Sequence, residues 1–214
     1  MKPYVIRQGD YLAKLAHAMG FDAKKVWDDP KNAALKASRE DPNMLQAGDV
    51  LFVPDAPKKR LPLEKETENA YVAKVPTVTV SVVVMEDDAP LANAVYTIEG
   101  LGDATERTTD AAGTVAFEAP VHVREVVVRF EASGAAMKIG VGDLDPATTD
   151  SGVRMRLAHL GHYGAKVEGA EQYAARDDAQ LAAAVAAFQS SNGLPVTGTV
   201  DDVTRDALVA AHGS

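Results

Sequence analysis

Cysteine is absent from the 214 residues, so disulfides, thiolate-bound zinc and thiol nucleophiles are all excluded. That absence leaves the compartment open, because many exported proteins also lack cysteine. Aromatic residues are scarce at 6%, with a single tryptophan. A core must therefore be assembled from Ala, Val and Leu, which favours several small modules over one large interior. Long apolar runs are missing too. The most hydrophobic stretch, Val78 to Met85, is strand-sized and far short of the roughly 20 residues of a membrane span, so a soluble protein is expected. The start, Met1-Lys2-Pro3-Tyr4-Val5-Ile6-Arg7-Gln8-Gly9-Asp10, turns polar at once and lacks the apolar region of a secretory signal. The expectation is a protein cytoplasmic as synthesised, reaching the periplasm or cell surface only by a route other than Sec. Positive charge is in deficit, with a formal net charge of −9 and no sustained Lys or Arg run, so nucleic acid is not an expected partner. Thirteen acidic and four basic residues lie between Pro76 and Asp150, whereas the first 57 residues carry eight of each.

Three modules and a linker emerge along the chain: 1–57, a linker at 58–75, then 76–143 and 144–214. In the first, Tyr4-Val5-Ile6 favours a strand that Gly9-Asp10 breaks. Leu12, Leu15, Ala16 and Met19 recur at helical spacing before Gly20, which can supply the positive φ of a helix end. Asp22 is placed to cap a second helix carrying Val26 and Trp27, which Ala33 to Leu35 extends or restarts, and Gly48-Asp49 leads into a closing strand at Val50 to Val53. The linker carries Lys58-Lys59-Arg60 and reads as solvated. From Pro76 the period becomes two, with Val78, Val80, Val82 and Val84 alternating, then strands around Val95, Thr114 to Phe117 and Val126 to Phe130. Spacing near ten residues predicts a small antiparallel β-sandwich. Beyond Leu144 the period is helical again: Val153, Arg156, Leu157 and Leu160 precede Gly161; Leu181, Val185 and Phe188 form one stripe; Asp201 or Asp202 is placed to cap a last helix with Leu208 and Val209. The fold class is thus multidomain α+β, with three helices in the last module.

Particular residues carry resemblances. Tyr4-Val5, Gly9-Asp10-Tyr11-Leu12, Leu15-Ala16, Gly20, Asn32, Leu45, Gly48-Asp49-Val50-Leu51 and Val53-Pro54 together resemble the LysM pattern. That resemblance implies a βααβ fold and a shallow groove for N-acetylglucosamine polymers, formed by Gly9, Asp10, Tyr11 and Leu12 on one side and Met44, Leu45, Gln46 and Ala47 on the other. The same residues also have a purely structural reading: Gly9 as a turn, Asp10 as a helix cap, Leu12 and Leu15 as core. Pro90-Leu91-Ala92-Asn93-Ala94 and Thr108-Thr109-Asp110-Ala111-Ala112-Gly113-Thr114-Val115 resemble turns of transthyretin-like, carboxypeptidase-regulatory-like domains, which serve as spacers or docking faces. Ala184-Val185-Ala186-Ala187-Phe188-Gln189, Asn192-Gly193-Leu194-Pro195-Val196-Thr197-Gly198-Thr199-Val200-Asp201, and the earlier Arg156 to Gly161 and Val167-Glu168-Gly169, resemble peptidoglycan-binding-like domains. The motif residues on that reading are Phe188, Gln189, Gly193, Leu194, Val196 and Gly198. Structurally, they supply a core ring, a backbone tie and turns.

Chemistry for catalysis is not evident. His159 and His162 lack the i, i+4 spacing of a zinc pair and a third ligand, so no metal and no cofactor are expected. Asp177-Asp178 and Asp201-Asp202 read as helix caps, and no phosphate loop or nucleophile elbow is present, so no enzyme is expected. Two functions remain open. One is a wall-binding adaptor whose terminal modules hold glycan or stem peptide; the other is an accessory, adaptor or cargo of a type VI or other contractile injection system, with the modules used for protein docking.

Overall fold

A computed structural model describes residues 1–39, 41–55, 64–68, 74–86, 89–102, 105–163 and 178–213. The Lys58-Lys59-Arg60 cluster, Val167-Glu168-Gly169 and Asp177 lie outside the described residues. The chain divides into two compact units, one of Met1–Val78, Glu118–Arg124 and Gly140–Asp143, the other of Thr79–Phe117, Glu125–Ile139 and Leu144–Ser214. The segment expected as a sandwich contributes to both. Helix and sheet are mixed.

The first unit begins with β1 (Lys2–Val5), α1 (Leu12–Met19), α2 (Ala23–Trp27), a 3-10 turn at Pro30–Asn32, α3 (Ala33–Ser38) and β2 (Val50–Val53). β1 and β2 are antiparallel, Lys2 opposite Val53 and Val5 opposite Val50. Gly20, at φ 74°, closes α1 as its spacing implies, and Asp22 accepts from the Lys25 amide to cap α2. The stretch after Trp27 restarts as a separate helix. Asp29 caps the 3-10 turn with Pro30 in its first position, and that turn leads directly into α3. Ile6, Leu12, Leu15, Val26, Trp27, Leu35, Leu45, Leu51 and Val53 form the core. Asn32, 1% exposed, is the polar pin of that core: its amide donates to the carbonyls of Val26 (2.7 Å) and Phe52 (3.0 Å), and its Oδ1 accepts from the Phe52 amide (2.7 Å). The side chain stands in for a third strand along β2, which satisfies backbone groups that a two-stranded ribbon leaves without partners.

The strands that follow are β3 (Thr77–Val83), β4 (Met85–Glu86), β5 (Ala89–Pro90), β6 (Val95–Glu99), β7 (Arg107–Thr108), β8 (Thr114–Pro120), β9 (Glu125–Phe130) and β10 (Ala136–Gly140). They form a sheet of order β10-β9-β6-β7 and two-stranded pairs β3-β8 and β4-β5. Strict alternation buries Tyr96 and Ile98 on β6 and Val126, Val128 and Phe130 on β9, with Tyr96 directly opposite Phe130. The two turn motifs picked out from sequence are stitched together. Thr109, 2% exposed, donates from Oγ1 to the Leu91 carbonyl and accepts from the Ala94 amide, while the Asp110 carboxylate accepts from the amides of Ala112 and Thr114. A Cβ on Gly113 would sit 2.6 Å from the Val84 carbonyl oxygen, which explains the glycine.

The last three elements are α4 (Asp150–His159), α5 (Ala179–Ser191) and α6 (Asp202–His212). Their N-caps are Thr149, Asp178 and Asp201, each accepting from an amide of the first turn. Val153, Leu157, Ala184, Val185, Phe188 and Leu208 make the core of these helices. Ala182, Ala184 and Ala186 of α5 are buried together with Val185, Phe188 and Gln189, so the helix is covered on several sides. Gly152 in α4 abuts backbone, since a Cβ there would lie 2.0 Å from the Pro146 carbonyl oxygen. No helix of the described residues is long and apolar enough to cross a membrane.

Candidate functional site: the Gln189 loop and the loops around Tyr11

In the helical module, Gln189 is 1% exposed and directs its side-chain amide at one loop and the first turn of α6. Its Oε1 accepts from the amides of Thr197 and Gly198, both at 2.9 Å. Its Nε2 donates to Thr197 Oγ1 (3.1 Å), the Thr199 carbonyl (3.0 Å) and Thr204 Oγ1 (3.0 Å). A single side chain on α5 thus holds Thr197, Gly198 and Thr199 from within and ties them to the first turn of α6. Gly193 (φ 67°) and Gly198 (φ 64°) turn that segment in a conformation disfavoured for other residues. Phe188 and Gly198 are buried and Leu194 is half-buried, while Gly193, Pro195, Val196, Thr197 and Thr199 are exposed. Three of the six motif residues therefore build the loop from inside, and Val196, 53% exposed, stands on its outer surface.

Elsewhere in the module, Arg156 is fully buried and donates from Nη1 to the carbonyls of Asp145 (2.8 Å) and Gly152 (2.9 Å). His159 pairs not with its near neighbour His162 but with His212. Nδ1 of His159 and Nε2 of His212 lie 3.0 Å apart, across the C-terminal ends of α4 and α6. The ring centroids are 5.2 Å apart and the planes within 28°, so the rings meet edge to edge, as an N–H···N hydrogen bond requires, rather than converging on a common metal position. Burial and the Arg156 charge lower the His159 pKa; burial, then His159 and Arg156, push that of His212 down to about 4. His162 packs edge-on against Phe188, and burial lowers its pKa as well. No spacing rule links residue 159 to residue 212, so sequence carried no signal for the pair. Among the described residues, no three His, Asp or Glu side chains are grouped to hold a metal.

In the first unit, the two loops assigned to a sugar groove do adjoin. The Leu12 amide donates to the Pro42 carbonyl (3.1 Å), the Ala13 amide to Asn43 Oδ1 (3.0 Å), and Leu12 and Leu45 share one core. Asp10 does not cap α1. The N-cap is Tyr11, with no side-chain bond, and Asp10 Oδ2 instead accepts from the Tyr4 hydroxyl (2.8 Å) and the Arg7 amide (3.2 Å), with Lys14 Nζ 3.7 Å from Oδ1. The second loop is stapled by Arg39, whose guanidinium is bidentate to Asp49 and also reaches Gln46 Oε1 (2.9 Å), while the Gln46 amide donates to Asp49 Oδ2. Gly9, Asp10, Met44 and Gln46 are half-buried, Ala47 is exposed, and Tyr11, Leu12 and Leu45 are buried. Tyr11 is the exceptional one. Its hydroxyl donates to the Val121 carbonyl (3.2 Å) and its ring lies on Gly142, both within the same compact unit.

The described helices of this module thus surround a loop shaped by one buried side-chain amide. Residues 153–208 match the family model described as "Putative peptidoglycan binding domain", a span that begins in α4 and ends in α6. No curated protein and no solved structure matches the chain.

Proposed function

We propose that this chain is a non-catalytic peptidoglycan-binding protein that engages the wall polymer through its C-terminal helical module. The carrying observation is the coincidence of the family match with the Gln189-centred loop: Gln189 ties Thr197, Gly198 and Thr199 by hydrogen bonds, and Pro195, Val196, Thr197 and Thr199 are exposed. A loop fixed before binding loses little conformational entropy on contact, which suits a flat polymer surface offering few contacts per repeat. The module supplies attachment, and the rest of the chain is what becomes attached.

The non-catalytic reading rests on the sequence, which offers no nucleophile elbow, phosphate loop or metal-ligand spacing. A second reading is an adaptor or cargo of a contractile injection system, supported by the first groove loop being occupied by this chain's own residues and so not offered to a sugar. Co-sedimentation of the full chain with purified sacculi separates them. Attachment through the helical module predicts pelleting that Val196→Asp weakens by about tenfold, equivalent to about 1.4 kcal/mol, with an unchanged melting temperature. Absence of pelleting by the unaltered chain moves the assignment to protein docking.

A further inference from the structure

Tyr11 is 1% exposed yet stands outside the cluster that forms the core of the N-terminal helices and strands. Something else covers it. The hydroxyl meets the Val121 carbonyl at 3.2 Å, and Gly142, at φ 84°, lies so close that a Cβ there would fall 2.3 Å from Cε1 and 2.7 Å from Cδ1. Around this anchor the Gln8 side-chain amide donates to the Asp143 carbonyl (3.3 Å), and a Cβ on Gly9 would lie 2.7 Å from Asp143 Oδ1. The covering segments are themselves fixed: the Val141 amide donates to the Arg124 carbonyl (2.9 Å), and the Val121 amide to that of Pro76 (3.0 Å). Exclusion of water raises the pKa of the Tyr11 phenol.

We infer that the loop Gly9–Leu12 is a docking surface for this chain's own segments Glu118–Arg124 and Gly140–Asp143, anchored by Tyr11, and that this self-docking withholds the loop from a sugar polymer. The two features that select the occupant are both backbone: a carbonyl aimed at the phenol, and a glycine flat enough to receive the ring. A glycan reaching this side of the loop would have to displace Gly142 from beside the ring and the Val121 carbonyl from the phenol. The loop serves as internal fastening, and the inference is independent of what the helical module binds.

The test uses the full chain. Tetranitromethane modification, read by peptide mass spectrometry, should nitrate Tyr11 about tenfold or more slowly than half-buried Tyr4, and Gly142→Val should bring the two rates together by expelling the ring. Titration with an N-acetylglucosamine hexamer should leave the amide resonances of Gly9, Asp10 and Tyr11 unmoved in the unaltered chain. Nitration of Tyr11 as fast as Tyr4, or hexamer-induced shifts at those amides, overturns the inference. Both outcomes are available from the unaltered chain should Gly142→Val fail to fold.

Discussion

Replacing Gln189 with alanine removes a side-chain amide that is 1% exposed and makes five hydrogen-bond contacts, three of them sharing the two protons of Nε2. A typical bond contributes about 0.5–1.5 kcal/mol net, and loss of one partner in a buried site costs about 1–3 kcal/mol. Thr197 and Thr199 are exposed and recover water when the amide is gone, whereas Gly198 and Thr204 are buried and recover less. The expected loss is therefore about 2–4 kcal/mol, less than the sum of five independent bonds. Urea unfolding should show the loss, and hydrogen exchange should show where it falls, at the amides of Thr197 and Gly198. Gln189→Glu sharpens the case. The carboxylate keeps both amide donors, but the Thr199 carbonyl then faces an acceptor with no proton between them, so the variant should also lose stability, most at neutral pH. A loss below about 0.5 kcal/mol for the alanine variant, with both amides still protected, refutes the claim that this side chain holds the loop.

Asn32→Leu retains bulk but loses three bonds to the backbone of Val26 and Phe52; about 2–4 kcal/mol of destabilisation is expected in denaturant melts, with increased exchange at Phe52. Gly152→Ala forces a methyl against the Pro146 carbonyl and should cost at least about 1–3 kcal/mol, against the slight gain alanine ordinarily brings to a helix interior. For the histidine pair, the folded state holds His212 down to about 4, below its ordinary 6.5, so it prefers the neutral ring. That contribution is complete above pH 6.5 and is lost as pH falls toward 4, because the unfolded chain then binds more protons; partial exposure limits it to about 1–2 kcal/mol. Subtracting the same pH series measured on His212→Gln isolates it from carboxylate titration, and identical pH dependence in the two proteins contradicts the paired geometry.

Local rules made much of the fold legible. Gly20, Asp22 and Asp201 act where their spacing placed them, the strands expected around Val95 and Val126 to Phe130 form as β6 and β9, and Asp110 closes its turn on Thr114. Gln189 was readable as a backbone tie, although its full set of partners was not. Where local reasoning failed, a distant partner decided. Asp10 has the composition of a helix cap, but the Tyr4 hydroxyl and Arg7 amide claim its carboxylate. Tyr11 precedes a helix and carries no periodicity, so nothing nearby reveals that Val121 and Gly142 receive it. His159 meets a residue 53 positions away for the same reason. Helix α3 forms as a separate piece because Asp29-Pro30 starts a new turn, a signal visible in sequence once Pro30 is weighed as a first-turn residue.

The central claim is that the helical module binds peptidoglycan on the outer face of the Gln189 loop, and chemical-shift mapping of the full chain with soluble peptidoglycan fragments tests it most directly. The account predicts saturable shifts at Val196, Thr197 and Thr199, which Val196→Asp suppresses. Shifts confined to other surfaces, or no shifts at millimolar fragment when sacculi also fail to retain the chain, would contradict it.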